Sequence, residues 1–141
     1  MILVLEDNQD DFFFLERALG RAGVDRRVLR LQNGGEAVTY LKGEGSYEDR
    51  NAFPVPLVII ADLKMPGEGG LDFIRWLRRE SDYKSLPVIV VSSSAISSDV
   101  ASAYALGANW FIEKPISPVG YDAIAQSLRQ WLRIIKLPAR S

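Results

Sequence analysis

The sequence contains no cysteine and no histidine among its 141 residues. The first absence excludes disulfides, thiol catalysis and cysteine-based zinc sites, and the second excludes Ser-His-Asp catalysis and imidazole acid–base chemistry. The charges nearly cancel, with 17 basic residues, 18 acidic residues and a net charge of -1. Bulk charge therefore gives no support for binding to nucleic acid or to membranes. Any chemistry must come from carboxylates, hydroxyls and lysines.

Long apolar segments are also missing from the sequence. No hydrophobic run approaches the roughly 20 residues that a membrane-spanning helix needs. The apolar opening 1–5 is too short for the core of a signal peptide, and it leads directly into Glu6 and Asp7. A cytoplasmic location is the default expectation.

Short apolar runs are present, and residues 57–61 form the most informative one. Its β-branched residues are typical of a strand that is buried on both faces of a parallel sheet, and the run ends on Asp62. Strands are expected at 2–5, 27–31, 57–61, 88–91 and 110–112. Helices are expected from a cap at Asp10 or Asp11 to Gly23, and then at 36–41, from 70 onward, at 97–106 and at about 118–135.

Alternation of strand and helix without hairpin signals predicts a single doubly wound α/β domain with a five-stranded parallel sheet in the order 2-1-3-4-5. The domain is expected to span 1–141, with a long polar loop at 43–56 and a C-terminal tail at 136–141. The turn Asn33-Gly34-Gly35 is expected before the second helix.

Ligands of such sheets bind beyond the carboxyl ends of the strands, where the winding reverses. Glu6 and Asp7 follow the first strand, and Asp62 follows the third. Ser92 follows the fourth strand and Lys114 the fifth. The predicted fold therefore brings three acids, a hydroxyl and a lysine to one edge of the sheet.

These side chains suggest a specific chemistry. Three adjacent carboxylates repel one another unless a cation lies among them, and ligands that are all oxygen favour a hard metal such as Mg²⁺. A lysine and a hydroxyl opposite the metal suit a phosphoryl group, because they neutralise its oxygens and hydrogen-bond to them. One carboxylate can then act as the nucleophile and form an aspartyl phosphate.

Taken together, these motifs resemble the receiver domain of two-component response regulators, which has a flavodoxin-like fold. The resemblance rests on Glu6-Asp7, Asp62-Leu63-Lys64-Met65-Pro66 with Gly70 downstream, Ser92, and Lys114-Pro115. It implies that Asp62 accepts a phosphoryl group from a histidine kinase. The chain would then be a phosphoryl acceptor that slowly dephosphorylates itself, not an enzyme that turns over a separate substrate.

The resemblance also assigns roles to the other residues. Asp7, Asp62 and the backbone carbonyl of Lys64 would bind Mg²⁺, with Glu6 helping directly or through water. Ser92 and Lys114 would contact the phosphoryl group, and Phe111 matches an aromatic switch position. The Lys114–Pro115 bond is expected to be cis. Lys64 and Ser94 occupy positions that tune the lifetime of the phosphoryl group.

Several features depart from the usual family pattern. Ser92 replaces the more usual threonine, and Phe111 lacks the hydroxyl of a tyrosine, so that its switching would be steric only. The loop 43–56 and the C-terminal tail resemble the single-domain regulators that are paired with bacterial phytochromes. Because the receiver uses up the chain, no DNA-binding output domain is expected, and signalling would run through protein–protein contacts.

The last helix predicts a partner surface. Trp131 and Ile134 fall partly off the stripe that would dock this helix on the sheet. With Tyr104 and Trp110 they are expected to form a homodimer face. The alternative is that the long helix simply covers a larger core.

Three alternative functions each have their own sequence requirements. A haloacid-dehalogenase-type phosphatase requires a second acid two residues after the nucleophile, where Lys64 stands. A flavodoxin-like FMN protein would need a phosphate loop rich in hydroxyls and glycine after the first strand, where acids are found. A receiver-like module that binds partners without phosphorylation stays open, although its usual mark, loss of an acid or of the lysine, is absent.

Overall fold

The structure is a computed structural model, and it describes residues 1–67 and 69–137. Within these ranges strand and helix alternate five times, as predicted, and a short 3-10 helix is added at Gly45–Tyr47. The strands are β1 (Ile2–Leu5), β2 (Val28–Leu31), β3 (Val58–Ala61), β4 (Val88–Ser92) and β5 (Trp110–Glu113). The helices are α1 (Gln9–Arg21), α2 (Gly34–Lys42), α3 (Gly70–Arg79), α4 (Ser97–Leu106) and α5 (Gly120–Ile134).

The five strands form one parallel sheet in the order β2-β1-β3-β4-β5, which confirms the predicted fold class and strand order. In this register Leu5 at the end of β1 lies beside Leu31 on one side and Ala61 on the other. Glu6 and Asp62 are the next residues of their strands. They therefore leave the sheet side by side.

The sheet separates two apolar layers, because successive side chains of a strand point to opposite faces. Leu3 and Leu5 of β1 belong to the layer that also contains Phe73 of α3. Ile2 and Val4 belong to the opposite layer, which α1 and α5 cover. Burial of apolar surface stabilises a fold by about 25 cal/mol per Å². Both faces of the central strands contribute, which holds the ends of β1 and β3 in fixed positions.

Helix α1 begins earlier than predicted, and Asp10 and Asp11 do not cap it. Asn8 has an extended backbone, and its side chain accepts a hydrogen bond from the N–H of Asp11 at 3.0 Å. Asn8 directly precedes the helix, and it lies three positions before the N–H that it binds. This arrangement leaves the carboxylate of Asp11 available to another partner.

Residues 33–35 were predicted as a turn, but they start α2. The side chain of Asn33 accepts a hydrogen bond from the N–H of Glu36 at 2.8 Å. This cap offsets the low helix propensity of Gly34 and Gly35. The helix ends at Lys42 and is capped by Gly43, which has a φ of 68°, in the left-handed region that favours glycine.

The segment 43–56 packs against α2 through aromatic side chains. The ring of the buried Tyr40 lies 4.9 Å from that of Tyr47 and 6.2 Å from that of Phe53, between centroids. The guanidinium of Arg50 donates hydrogen bonds to the carbonyls of Tyr40 (2.9 Å), Leu41 (2.5 Å) and Phe53 (3.2 Å). Arg50 thus satisfies carbonyls near the C-terminus of α2 and anchors the loop to them.

The C-terminal part differs from the sequence-based expectation in two details. The Lys114–Pro115 bond was expected to be cis, but no peptide bond in the described ranges is cis. Even before proline the trans isomer is favoured, by about 0.5–1 kcal/mol. Helix α5 ends at Ile134, and the expected tail 136–141 lies partly at 138–141, outside the described residues.

Among the helices of the described ranges, none combines the length and the apolarity that a membrane span requires.

Candidate functional site

Glu6, Asp7 and Asp62 form an acid cluster at the carboxyl edge of the sheet. One carboxylate oxygen from each residue lies within 4.8 Å of the others. Glu6 and Asp62 are buried, whereas Asp7 is exposed. The register of β1 and β3 explains the proximity of the two buried acids, and Asp7 follows Glu6 in the chain. The structure thus brings together the three acids that the sequence predicted at this edge.

Lys114 enters the same site from the end of β5. Its backbone N–H donates to the carbonyl of Ser92 at 2.9 Å, which fixes the start of the loop after β5. Its ammonium nitrogen, Nζ, lies 2.8 Å from Oε1 of Glu6, 2.8 Å from Oδ2 of Asp62 and 2.7 Å from Oδ2 of Asp11. The lysine side chain is 11% exposed. One mostly buried ammonium therefore contacts three carboxylates.

The electrostatics follow from burial and from these contacts. Burial raises the pKa of Glu6 to about 7, with the charge of Asp62 adding to the rise, although the hydrogen bond with Lys114 acts against it. Burial alone would lower the pKa of Lys114. Its hydrogen bonds with Asp11, Asp62 and Glu6 together outweigh that effect, so the pKa is raised. The lysine is charged, and the acids around it carry more negative charge than it can neutralise.

This excess of carboxylate oxygen fits a hard divalent cation. All candidate ligands are oxygen atoms, and a cation would lower the cost of ionising Glu6 in a buried position. The chemistry of the acid cluster therefore agrees with the expected metal site.

The loop after Asp62 is shaped by a close approach of the backbone. The N–H of Lys64 donates to Oδ1 of Asp62 at 3.2 Å, which orients the carboxylate. A side chain at Gly70 would place its Cβ 2.3 Å from the carbonyl oxygen of Asp62. Only glycine permits α3 to start this close to the end of β3. The backbone carbonyl of Lys64 as a metal ligand stays a prediction.

Ser92 and Phe111 lie where the sequence placed them, at the end of β4 and within β5. Ser92 is fully buried, and its hydroxyl accepts a hydrogen bond from the N–H of Ser94 at 3.3 Å. Phe111 is partly buried, and it lines an apolar cavity of about 240 Å³ between α5 and the sheet. Their roles as phosphoryl ligand and switch stay predictions.

The expected partner face is exposed on α4, β5 and α5. Tyr104, Trp110 and Ile134 are 47%, 45% and 80% exposed. Trp131 is partly buried, and its ring meets that of Trp110 edge-on at a centroid distance of 5.7 Å. The hydroxyl of Tyr104 accepts a hydrogen bond from the N–H of Phe111 at 3.0 Å, so that α4 is joined to the edge strand β5.

One residue of the site was missed by sequence reasoning. Asp11 was treated as a helix cap, but its carboxylate makes the shortest of the contacts with Lys114. The available signal was its position four residues after Asp7, which places it within the first turn of α1 at the same edge. Asn8 can cap the helix in place of Asp11, so the sequence did not require Asp11 to act as the cap.

The fold and the site define a receiver-type α/β protein with an acidic cluster and a lysine at the carboxyl edge of its sheet. The family model described as response regulator receiver domain matches residues 2–127. The chain belongs to this family, whose members act in two-component signalling and are not turnover enzymes.

Similar proteins include phytochrome-associated regulators. The sequence is 28% identical to response regulator Rcp1 of Synechocystis over 140 residues, which is 99% of this chain and 93% of Rcp1. The crystal structure of the phosphorylated cyanobacterial phytochrome response regulator RcpA matches with a TM-score of 0.89 and 28% identity, covering 98% of this chain and 97% of RcpA. The Mn²⁺-bound form of Rcp1 matches with a TM-score of 0.87 and 28% identity, covering 98% of each chain.

Proposed function

We propose that Asp62 accepts a phosphoryl group from a histidine kinase. A carboxylate oxygen of Asp62 forms a bond to phosphorus while the bond from phosphorus to the donor nitrogen of the kinase breaks. The observation that carries this proposal is the environment of the Asp62 carboxylate. It is 4% exposed, it lies within the acid cluster, and an ammonium group lies 2.8 Å from it.

The proposed cofactor is Mg²⁺, held by Glu6, Asp7, Asp62 and the backbone carbonyl of Lys64. When bound, the cation neutralises the carboxylates and the oxygens of the incoming phosphoryl group. The acid cluster supports a divalent metal, as does the Mn²⁺-bound form of the similar regulator Rcp1. Mg²⁺ is preferred because it suits a site with few protein ligands and a phosphate partner.

Lys114 and Ser92 are proposed to hold the phosphoryl group. The ammonium of Lys114 is already beside the acceptor oxygen and can donate to a phosphoryl oxygen. Ser92 ends β4, which pairs with β3, and its hydroxyl is the hydrogen-bond donor proposed on that side.

Incubation with Mg²⁺ and a small-molecule phosphodonor, followed by intact mass measurement, tests the assignment. We expect one phosphoryl adduct on the wild-type chain and on Asp72→Asn, which removes an exposed carboxylate of α3. We expect none on Asp62→Asn. A wild-type chain without an adduct, or an equal adduct on Asp62→Asn, would defeat the proposal. The former result would favour the alternative of a receiver-like module that works without phosphorylation.

Phosphorylation is proposed to act on the face formed by Tyr104, Trp110, Trp131 and Ile134. It would shift a conformational equilibrium that already exists in the unphosphorylated chain. The hydrogen bond between Tyr104 and the N–H of Phe111 couples α4 to the strand that carries both the switch residue and Trp110. The cavity beside Phe111 gives its ring apolar space on the α5 side. This face is proposed to bind a second copy of the chain, and signalling would continue through protein–protein contacts.

The mass in solution tests the dimer. Ile134→Glu and Trp131→Ala are expected to shift it from dimer to monomer, because they place a charge on the proposed face or remove its aromatic pair. Ile116→Glu is the matched control, since Ile116 is fully exposed on the loop after β5. A monomeric wild-type chain would exclude the homodimer, and a dimer unchanged in both face variants would exclude this face.

The proposed kinase is a bacterial phytochrome, and the proposed location is the cytoplasm, where the regulator would meet it. The support is the similarity to RcpA, which is described as a phytochrome response regulator. Phosphotransfer from a purified phytochrome kinase to Asp62 tests the partnership, with a histidine kinase of another sensory class as the control.

A further inference from the structure

Asp11 differs from the other two carboxylates that contact Lys114. Glu6 and Asp62 belong to the acid cluster in which a cation would lie, whereas Asp11 stands outside that cluster, on α1. The carboxylate of Asp11 is 29% exposed, and its Oδ2 lies 2.7 Å from Nζ of Lys114. A charge-assisted hydrogen bond in a partly buried position is among the stronger polar contacts in proteins.

A cation among Glu6, Asp7 and Asp62 changes what the lysine can bind. It takes up negative charge that Lys114 now neutralises, and it repels the ammonium at short range. The contacts of Lys114 with Glu6 and Asp62 must therefore weaken when the cation enters. The contact with Asp11 does not compete with the cation for the same oxygens. Of the three contacts of Lys114, the one with Asp11 can therefore persist unchanged when the cation binds.

We propose that Asp11 is a positioning residue, which holds the ammonium of Lys114 at the margin of the acid cluster while a divalent cation occupies Glu6, Asp7 and Asp62. Asp11 thereby lowers the cost of binding the cation and keeps the lysine beside Asp62. The inference rests on the metal site of the proposed function, but not on phosphoryl transfer.

The chain offers a matched control for Asp11. Asp10 is the preceding residue in the first turn of α1, it is exposed, and it makes no ion pair with Lys114. Asp10→Asn and Asp11→Asn remove the same charge from the same helix end. Asp11→Asn also retains the cap of α1, because Asn8 binds the backbone N–H of residue 11 and not its side chain.

The first measurement is the Mg²⁺ dissociation constant by titration calorimetry. We expect Asp11→Asn to weaken Mg²⁺ binding roughly tenfold, the size of effect that loss of one charge-assisted hydrogen bond produces, and Asp10→Asn to change it less than about twofold. In a Lys114→Met background, Asp11→Asn should have no larger effect than Asp10→Asn, because Asp11 acts through the lysine. Equal effects of the two variants in the wild-type background, or an undiminished effect without Lys114, would overturn the proposal.

The second measurement follows the ammonium of Lys114 itself. In protein labelled with ¹⁵N-lysine, a hydrogen-bonded Lys114 ammonium should give a slowly exchanging signal, assigned by its absence in Lys114→Met. The signal should persist at saturating Mg²⁺ in the wild-type chain and be lost in Asp11→Asn. Its loss from the wild-type chain on Mg²⁺ binding contradicts the proposal, and so does a wild-type chain that binds no Mg²⁺. A chain that binds Mg²⁺ but takes no phosphoryl group at Asp62 fails the proposed function alone.

Discussion

Two regions of the molecule place one cation among three oxygen acceptors, and they do so with opposite consequences. In the corner formed by α2 and the loop 43–56, the guanidinium of Arg50 binds three backbone carbonyls. At the carboxyl edge of the sheet, the ammonium of Lys114 contacts three carboxylates. The carbonyls carry no net charge, whereas the carboxylates carry more negative charge than one ammonium can neutralise. The first arrangement is complete without a ligand, and the second attracts a further cation.

Both regions have the same number of contacts, so it is the balance of charge that distinguishes the structural corner from the candidate functional site. Arg50 gives the carbonyl of Leu41 a donor and adds a second donor to the carbonyl of Tyr40, which also accepts from the N–H of Gly43. Satisfying helix carbonyls in this way is a structural task. At the acid cluster, the raised pKa of Glu6 reports a carboxylate whose ionisation is costly where it stands. A group held at such a cost in the folded state is a mark of functional sites. The same comparison predicts that Mg²⁺ restores the stability of variants in the second region but not of variants in the first.

The largest effect is expected from Lys114→Met. Removal of the ammonium leaves Glu6, Asp11 and Asp62 in close proximity without a counter-charge, which should lower the free energy of unfolding by about 3 kcal/mol at neutral pH without metal. Chemical denaturation in the presence of a chelator measures this loss. Saturating Mg²⁺ should recover most of it, because the cation supplies positive charge to two of the same carboxylates and no longer competes with the lysine.

The control for Lys114→Met is an exposed lysine variant, Lys64→Met, on the loop after β3. Its stability without metal should remain within about 0.5 kcal/mol of the wild-type value. A Lys114→Met deficit that Mg²⁺ leaves unchanged would show that the lysine stabilises the fold by packing and not by charge.

A smaller loss is expected from Arg50→Met, about 2 kcal/mol in the free energy of unfolding. The variant removes the guanidinium donor from the carbonyls of Tyr40, Leu41 and Phe53, although the carbonyl of Tyr40 keeps the N–H of Gly43. Hydrogen bonds to charged groups contribute about 1.5–3 kcal/mol. Because no cation site is involved, the loss should be the same with a chelator and with saturating Mg²⁺. Recovery by Mg²⁺ would mean that the two regions are coupled, and the contrast drawn above would fail.

The two regions were also unequally predictable from the sequence. The acid cluster and the position of Lys114 followed from strand order, because parallel strands deliver the residues after β1, β3 and β5 to one edge. Short apolar runs were enough to identify those strands. The contact of Asp11 with Lys114 joins residues 103 positions apart, and it depends on the side-chain direction of a helix whose first residue was misplaced.

The structure of the loop corner was harder to predict from the sequence, for a related reason. Residues 43–56 have no periodic pattern, so the sequence predicted only a long polar loop, although Tyr47 and Phe53 pack on Tyr40 and Arg50 binds the end of α2. Asn33 could have been recognised as a cap, but two following glycines outweighed it as a turn signal. In both regions, the outcome depended on which of several polar side chains found which partner, and the pattern of apolar residues carries no information on that choice.

The smallest effect is expected from Tyr47→Phe, within the same loop corner. The hydroxyl of Tyr47 donates to Oε1 of Glu36 at 2.9 Å, and removal of this bond should cost about 1 kcal/mol near neutral pH, independent of Mg²⁺.

Burial, together with the hydrogen bond to Glu36, raises the pKa of Tyr47 from 10.0 to about 12. The folded state therefore holds the phenolic proton more tightly than the unfolded state. The contribution of Tyr47 is fully present below pH 10 and is lost as the pH rises to about 12. The stability difference between the wild-type chain and Tyr47→Phe should thus shrink over this interval, measured by urea denaturation at each pH. A difference that stays constant up to pH 12 would place the stabilising effect of Tyr47 in its ring contacts with Tyr40 and Phe53 and not in its hydroxyl.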